Sequence, residues 1–145
     1  MVALQIRRLD PDLPLPSYSE VGDAGADLVS SESVTIPAGG GRVLVGTGIS
    51  FAIPMGFAGF VQPRSGMALR SGVTVLNTPG LVDAGYRNEL KVILINTDPE
   101  DDYVIERGDR VAQLVIQRVE QIEWEVVDEL PDSDRGMGGF GHSGR

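Results

Sequence analysis

Five short stretches of this chain, residues 23–30, 63–68, 77–89, 107–113 and 135–144, gather glycines together with Arg, Asp, Ser and Gln. Two of them set an arginine among small residues: Pro63-Arg64-Ser65-Gly66 and Arg135-Gly136-Met137-Gly138-Gly139-Phe140-Gly141-His142. A guanidinium beside accessible backbone N–H groups suits an anionic ligand. The formal net charge of −9 repels a polyanion such as DNA, so no nucleic-acid partner is expected. A small polyphosphate accompanied by a cation is the better match.

Residues 77–89 include Gly80-Leu81-Val82-Asp83-Ala84-Gly85-Tyr86-Arg87-Asn88-Glu89. Asp83 and Glu89 bracket a tyrosine, a grouping that offers a general base and a flat surface for a sugar ring. By pattern alone it also reads as a polar hairpin. Asp23 and Asp27 lie four apart around Gly25, and a strand of period two would direct both to one face. One such aspartate suffices to help hold magnesium, which prefers carboxylate, water and substrate phosphate to an all-protein cage. The last stretch has the glycine density of a phosphate cradle but lacks the Gly-Lys-Ser/Thr ending of a P-loop. Phe140 gives it an aromatic that can stack on something flat. His142 is the only histidine, so a multi-histidine metal site is excluded.

The elements that must position these groups are strands. Val2, Leu4 and Ile6 alternate with Ala3, Gln5 and Arg7, the period of a strand with one polar face. Further strands are expected at 34–36, 42–45, 49–53, 57–61, 73–76, 90–96, 103–105, 110–117 and 122–127, separated by Pro, Gly or Asp. Many short strands with turn signals between them mean an all-β domain. One short helix is expected over 66–71, with Ser65 as its cap and Gly72 as its stop. At 145 residues one domain is the default, here a β domain over 1–130 followed by a flexible C-terminal arm over 131–145 that is poor in large apolar residues. The chain has no cysteine, which suits a reducing cytoplasm. No signal peptide or membrane-spanning run is legible.

In this order, D-A-G-A-D-L, P-R-S-G-M-A, G-L-V-D-A-G-Y-R-N-E, R-G-D-R-V-A-Q-L and R-G-M-G-G-F-G-H-S-G resemble the five motifs of the homotrimeric deoxyuridine triphosphatases. The resemblance implies a jelly-roll-like distorted β-barrel subunit and a homotrimer with active sites between subunits. It also implies hydrolysis of dUTP to dUMP and pyrophosphate with Mg2+. Asp83 then corresponds to the aspartate that deprotonates the attacking water, and Tyr86 to the ring that packs on the deoxyribose. Asn77 and the backbone around Gly80 and Gly85 correspond to the uracil pocket. Arg64, Ser65, Gly66 and Gln113 correspond to phosphate-binding residues, and Asp27 to the aspartate that meets magnesium through water. Arg135 and Phe140, with Gly141 and His142 beside them, correspond to the arm that closes on phosphate and uracil.

Two positions depart from the family pattern: Asn88 replaces a glycine, and His142 replaces a serine or threonine. Asparagine tolerates a left-handed turn better than other non-glycine residues, so the turn at 88 is expected to survive. Two other readings remain open from sequence. One is a dCTP deaminase-like enzyme of the same fold; the other is a catalytically inactive nucleotide-binding relative. In the expected mechanism a nearby arginine such as Arg64 favours the ionised form of Asp83.

Overall fold

A computed structural model describes residues 2–134 and residue 136. The expected Arg135, Phe140, Gly141 and His142 contributions lie outside the described residues. Eleven strands and one helix are present among those described. The strands are β1 (Gln5–Arg8), β2 (Ala26–Val29), β3 (Val34–Ile36), β4 (Arg42–Gly46), β5 (Ile49–Ala52) and β6 (Phe57–Gln62). After helix α1 (Ser65–Ser71) come β7 (Val73–Val75), β8 (Gly80–Val82), β9 (Lys91–Asn96), β10 (Tyr103–Ile105) and β11 (Arg110–Arg118).

All pairings between these strands are antiparallel. They form sheets in the orders β2-β11-β6-β8, β4-β9-β7, β1-β5 and β10-β3. The fold is all-β and jelly-roll-like, as expected, although its four sheets do not close into one continuous barrel. The core fills the space between them with β-branched and leucine side chains, among them Leu28, Ile36, Val45, Val75, Leu94, Ile105 and Val111. Leu94 and Ile105 are fully buried, and truncating such a leucine to alanine costs about 2–5 kcal/mol. No helix among the described residues is long and apolar enough to cross a membrane.

Three local expectations are corrected. Ser65 is the first helical residue rather than the cap. The backbone of Arg64 is still extended, and its carbonyl accepts the first helical hydrogen bond, from Ala68 N–H at 3.1 Å. At the other end Gly72 (φ 62°) closes the helix as expected. A Cβ there would lie 2.7 Å from Thr97 Oγ1, so both the turn and the close approach call for glycine. The segment 73–96 is not one hairpin: β7 pairs with β9, whereas β8 between them pairs with β6 in another sheet. Residues 122–127 form no strand; Ile122, Trp124 and Val126 alternate as expected but remain exposed, with no partner strand among the described residues.

Candidate functional site

The sequence-derived site residues fall into two groups. The first is built on the sheet β2-β11-β6 and the turn that follows β6. Asp27 faces Gln113 across the β2–β11 pair, and Gln113 faces Gln62 across β11–β6. Gln113 Nε2 donates to Asp27 Oδ1 at 3.2 Å, while Arg110 Nη1 donates to Oδ2 at 3.1 Å. Ser19 Oγ donates to the same Oδ2 at 3.3 Å. Arg64 Nε lies 4.0 Å from Asp27 Oδ1, and Arg64 Nη1 donates to the Arg110 carbonyl at 2.9 Å. Ser19, Asp27, Arg64, Ser65, Gly66, Arg110 and Gln113 line one strongly polar cavity of about 260 Å³.

Sequence reasoning left two members out of the site, Ser19, which lies outside all five stretches, and Arg110. Strand alternation alone would set residues 110 and 113 on opposite faces. A β-bulge intervenes: Arg110 pairs with Val29 and Ala112 with Leu28, so β11 carries an extra residue, Val111. The bulge turns Val111 and Ala112 both inward and leaves Arg110 and Gln113 on the same carboxylate. The available signal was the Arg110-Val111-Ala112-Gln113 phrase itself, with two apolar residues between two polar ones.

Asp23 does not join Asp27. It sits in an exposed turn, where its Oδ2 accepts the Glu20 N–H at 2.9 Å, whereas Asp27 is 8% exposed. Gly25 lies between them, and a Cβ there would stand 3.1 Å from Gln113 Cβ. Glycine therefore leaves the space that the Gln113 side chain occupies. Among the described residues no cluster of three or more Asp, Glu, His or Cys is shaped to hold a metal. Among the described residues Asp27 is the one carboxylate lining the polar cavity. A magnesium ion that keeps its waters and is carried by substrate phosphates asks for no more than one or two carboxylates, so this donor set fits such an ion and not an all-protein cage.

The second group surrounds the connections on either side of β8. Asn77, Gly80 and Tyr86 line, with Leu81, Leu90 and Lys91, a cavity of about 230 Å³. A Cβ on Gly80 would meet Val61 Cβ at 3.3 Å and Asn77 Nδ2 at 3.5 Å, so glycine keeps the strand close to β6 and leaves the asparagine amide its place. Gly85 faces open space. Asp83 follows β8; its side chain is exposed, and its carbonyl accepts the Tyr86 N–H at 3.0 Å. Tyr86 Oη donates to the Glu89 carbonyl at 2.7 Å.

Three further expectations change here. Glu89 is not a second candidate base: its Oε1 accepts the Gly48 N–H at 3.0 Å and its Oε2 lies 3.6 Å from Lys91 Nζ. The turn at Asn88 needs no left-handed conformation, since no non-glycine residue among those described has a positive φ. Within one chain, moreover, the carboxylate beside Arg64 is that of Asp27, not that of Asp83.

The sequence profile of the dUTPase family matches residues 12–144. The deoxyuridine 5'-triphosphate nucleotidohydrolase of Thermobifida fusca is 61% identical over 143 residues, covering 99% of this chain and 79% of that protein. The enzyme of the same name from Rhodococcus erythropolis is 55% identical over 143 residues, covering 99% of this chain and 87% of its own length. Among solved structures, a dUTPase variant of Staphylococcus bacteriophage 80alpha with dUpNHpp superposes with a TM-score of 0.91 at 27% identity, covering 100% of both chains. A dUTPase variant from phage phi11 of S. aureus, described with a coordinated structural Mg(II) ion, matches with a TM-score of 0.82 at 26% identity over 90% of this chain and 100% of its own.

Proposed function

The chain belongs to the dUTPase family, and from that premise we propose that it hydrolyses dUTP to dUMP and pyrophosphate at a site assembled from the two groups of residues described above. The observation that carries the reading is the second group: Tyr86, Asn77 and Gly80 around one small cavity, with an exposed carboxylate, Asp83, three residues before the tyrosine on the same loop.

In this mechanism Asn77 and the main chain at Gly80 and Gly85 hold the uracil edge, and the Tyr86 ring lies against the deoxyribose. Arg64, Ser65, Gly66 and Gln113 bind the phosphate oxygens, whose negative charge otherwise repels a nucleophile. Asp83 takes a proton from a water molecule as its oxygen bonds to the α-phosphorus. The bond from the α-phosphorus to the bridging oxygen breaks, and pyrophosphate leaves with the electron pair. Magnesium, when bound with the substrate near Asp27, supplies charge neutralisation to the phosphates. No covalent nucleophile is needed.

The reading includes a homotrimer with sites between subunits. It is supported by the separate cavities that the two groups line, Asn77, Gly80 and Tyr86 in one and Asp27, Arg64 and Gln113 in the other. It is supported also by the exposed Ile122, Trp124 and Val126, an apolar stripe that a neighbouring subunit would cover. Residues 1–130 serve as the β domain and 131–145 as an arm that brings Arg135 and Phe140, with Gly141 and His142, over bound nucleotide. A cytoplasmic location goes with a cysteine-free nucleotide enzyme.

The test is turnover with Asp83→Asn. The amide keeps the shape and loses the base, so dUTP binding should persist while kcat falls about 10²–10⁴-fold. Unchanged turnover would remove Asp83 from the mechanism. Ammonia release from dCTP, without pyrophosphate release from dUTP, would replace the whole reading with a deaminase.

A further inference from the structure

We infer that Glu89 is a specificity-positioning residue: its side chain pins the loop that carries Tyr86, and so sets how strongly the enzyme rejects a ribonucleotide. The inference rests on the proposal that the Tyr86 ring walls the sugar site, and goes beyond it by asking what holds that wall.

Within residues 83–89, Ala84 packs against the hydrophobic core, but most of the loop does not share that cover. Asp83, Gly85, Tyr86, Arg87 and Asn88 are all exposed. The loop is instead closed on itself: Tyr86 N–H donates to the Asp83 carbonyl at 3.0 Å, and Arg87 Nη1 donates to the carbonyls of Ala84 and Tyr86 at 2.6 and 2.7 Å. The ring is tied at its far end, where the hydroxyl donates to the Glu89 carbonyl at 2.7 Å. That bond uses the only hydrogen the hydroxyl has. Tyr86 therefore meets a sugar with its ring and not with a donated hydrogen bond, so discrimination falls to steric exclusion.

A steric wall discriminates only while it stays in place; the loop leaves the folded body at Val82 of β8, paired with Gly59, and Glu89 is where it rejoins it. Its Oε1 accepts the Gly48 N–H at 3.0 Å. A Cβ on Gly46 would lie 2.7 Å from the same oxygen, so the carboxylate sits against bare backbone of the β4–β5 connection. The next residue continues the seam: Leu90 N–H donates to Ile49 O at 2.8 Å, and its carbonyl accepts Thr47 Oγ1 at 2.6 Å and Thr47 N–H at 3.2 Å. Thr47 and Leu90 are buried. A continuous line of hydrogen bonds thus runs from the buried β4–β5 connection through Glu89 to the tyrosine ring.

The readout is the ratio of kcat/KM for dUTP to that for UTP. Glu89→Ala should lower it roughly tenfold or more, the scale of a small steric change in a pocket, with most of the change a gain on UTP. Glu89→Gln keeps an acceptor for the Gly48 N–H and should retain the ratio. Tyr86→Phe keeps the ring and cuts only its tether, so it should also lower the ratio, and it tests the idea independently should Glu89→Ala fail to fold. Tyr86→Ala separates the two levels of argument. If it leaves the ratio unchanged, the tyrosine is not the sugar wall, and the reading of the site and this inference both fail. If it abolishes discrimination while Glu89→Ala and Tyr86→Phe preserve it, the wall stands and the tether alone is refuted.

Discussion

Asp27 and Asp83 belong to opposite edges of one four-stranded sheet, Asp27 in edge strand β2 and Asp83 immediately after edge strand β8. Three strand spacings separate the edges, about 14 Å. Asp27, Gln113 and Gln62 form one row across the sheet, whereas β8 carries the chain away from that row. Asp83 comes four residues beyond the position facing Gln62, or about 13 Å along the strand. On an ideal sheet the backbone positions of the two residues would therefore lie roughly 19 Å apart. A general base must come within about 3 Å of the proton it takes, directly or through one water.

That separation makes complementation the sharpest test of assembly. Asp83→Asn and Arg64→Ala chains should each be nearly inactive alone. Co-expressed, they should form mixed oligomers in which some sites combine an intact Asp83 with an intact Arg64 from a neighbour, and a sizeable fraction of wild-type activity should return. Two inactive variants that stay inactive together would mean that each chain builds its own site.

Gly25 tests the cluster around Asp27 without touching a charge. An alanine Cβ would stand 3.1 Å from Gln113 Cβ and 3.3 Å from its amide carbon, closer than ordinary contact. The Gln113 side chain must shift by a few tenths of an ångström, and its 3.2 Å bond to Asp27 loosens. Gly25→Ala should keep the melting temperature close to that of the wild type while kcat/KM for dUTP drops by roughly tenfold, a fraction of the 10²-fold that an ångström of misplacement costs. An unaltered kcat/KM would show that Gln113 does not need this position.

How far the sequence carried the argument follows from what alternation reports. Strands that are buried on alternate residues, such as 91–96 with Val92, Leu94 and Asn96 buried and Lys91, Ile93 and Ile95 less so, repeat every two residues and are readable. β2 is inaccessible on nearly every residue of Ala26–Val29, so no alternation marked it, and its Asp27 read as part of a glycine turn. At 122–127 the pattern was present, but a stripe in sequence reports an apolar face and not the presence of a partner. The five motifs supplied most of the candidate residues; Arg110 escaped because only the apolar pair Val111-Ala112 hints at the bulge that shifts its register, and Ser19 because it lies outside all five. Glu89 illustrates the reverse error: a carboxylate near a tyrosine looks chemical, and only the glycines at 46 and 48, distant in sequence, disclose that it is tied to backbone.

Asp10 and Arg107 offer a stability test remote from the reaction. Arg107 Nη2 donates to Asp10 Oδ2 at 2.7 Å and to Oδ1 at 2.9 Å, with Nε at 3.2 Å from Oδ2. The guanidinium's hydrogen bonds hold the Asp10 carboxyl below its ordinary value of 3.8. A carboxylate whose pKa is lower folded than unfolded stabilises the fold above the unfolded value, and that contribution disappears as pH falls through the folded one. Asp10→Asn should therefore lower the melting temperature modestly at neutral pH. The gap from wild type should shrink as the pH drops below 3.8. A gap independent of pH would mean that the pair contributes by shape and not by charge.

The segment beyond Pro131 carries the last prediction. Arg135 and Phe140 bracket a run of glycines and Met137, one able to give a charge-assisted bond to phosphate and the other a stacking surface for uracil. Fixing such a run costs about 1–2 kcal/mol of backbone entropy per residue, so an arm that closes over the site would have to draw on contacts with bound triphosphate. Among the described residues the buried core cluster runs from Leu28 to Leu114. Deletion after Pro131 should leave the far-ultraviolet circular dichroism spectrum and the melting temperature nearly unchanged while kcat falls steeply, because water is no longer excluded and two ligand contacts are gone. Full-length and shortened chains with matched spectra and matched turnover would establish that the glycine-rich motif takes no part in catalysis, however closely its sequence resembles an arm that does.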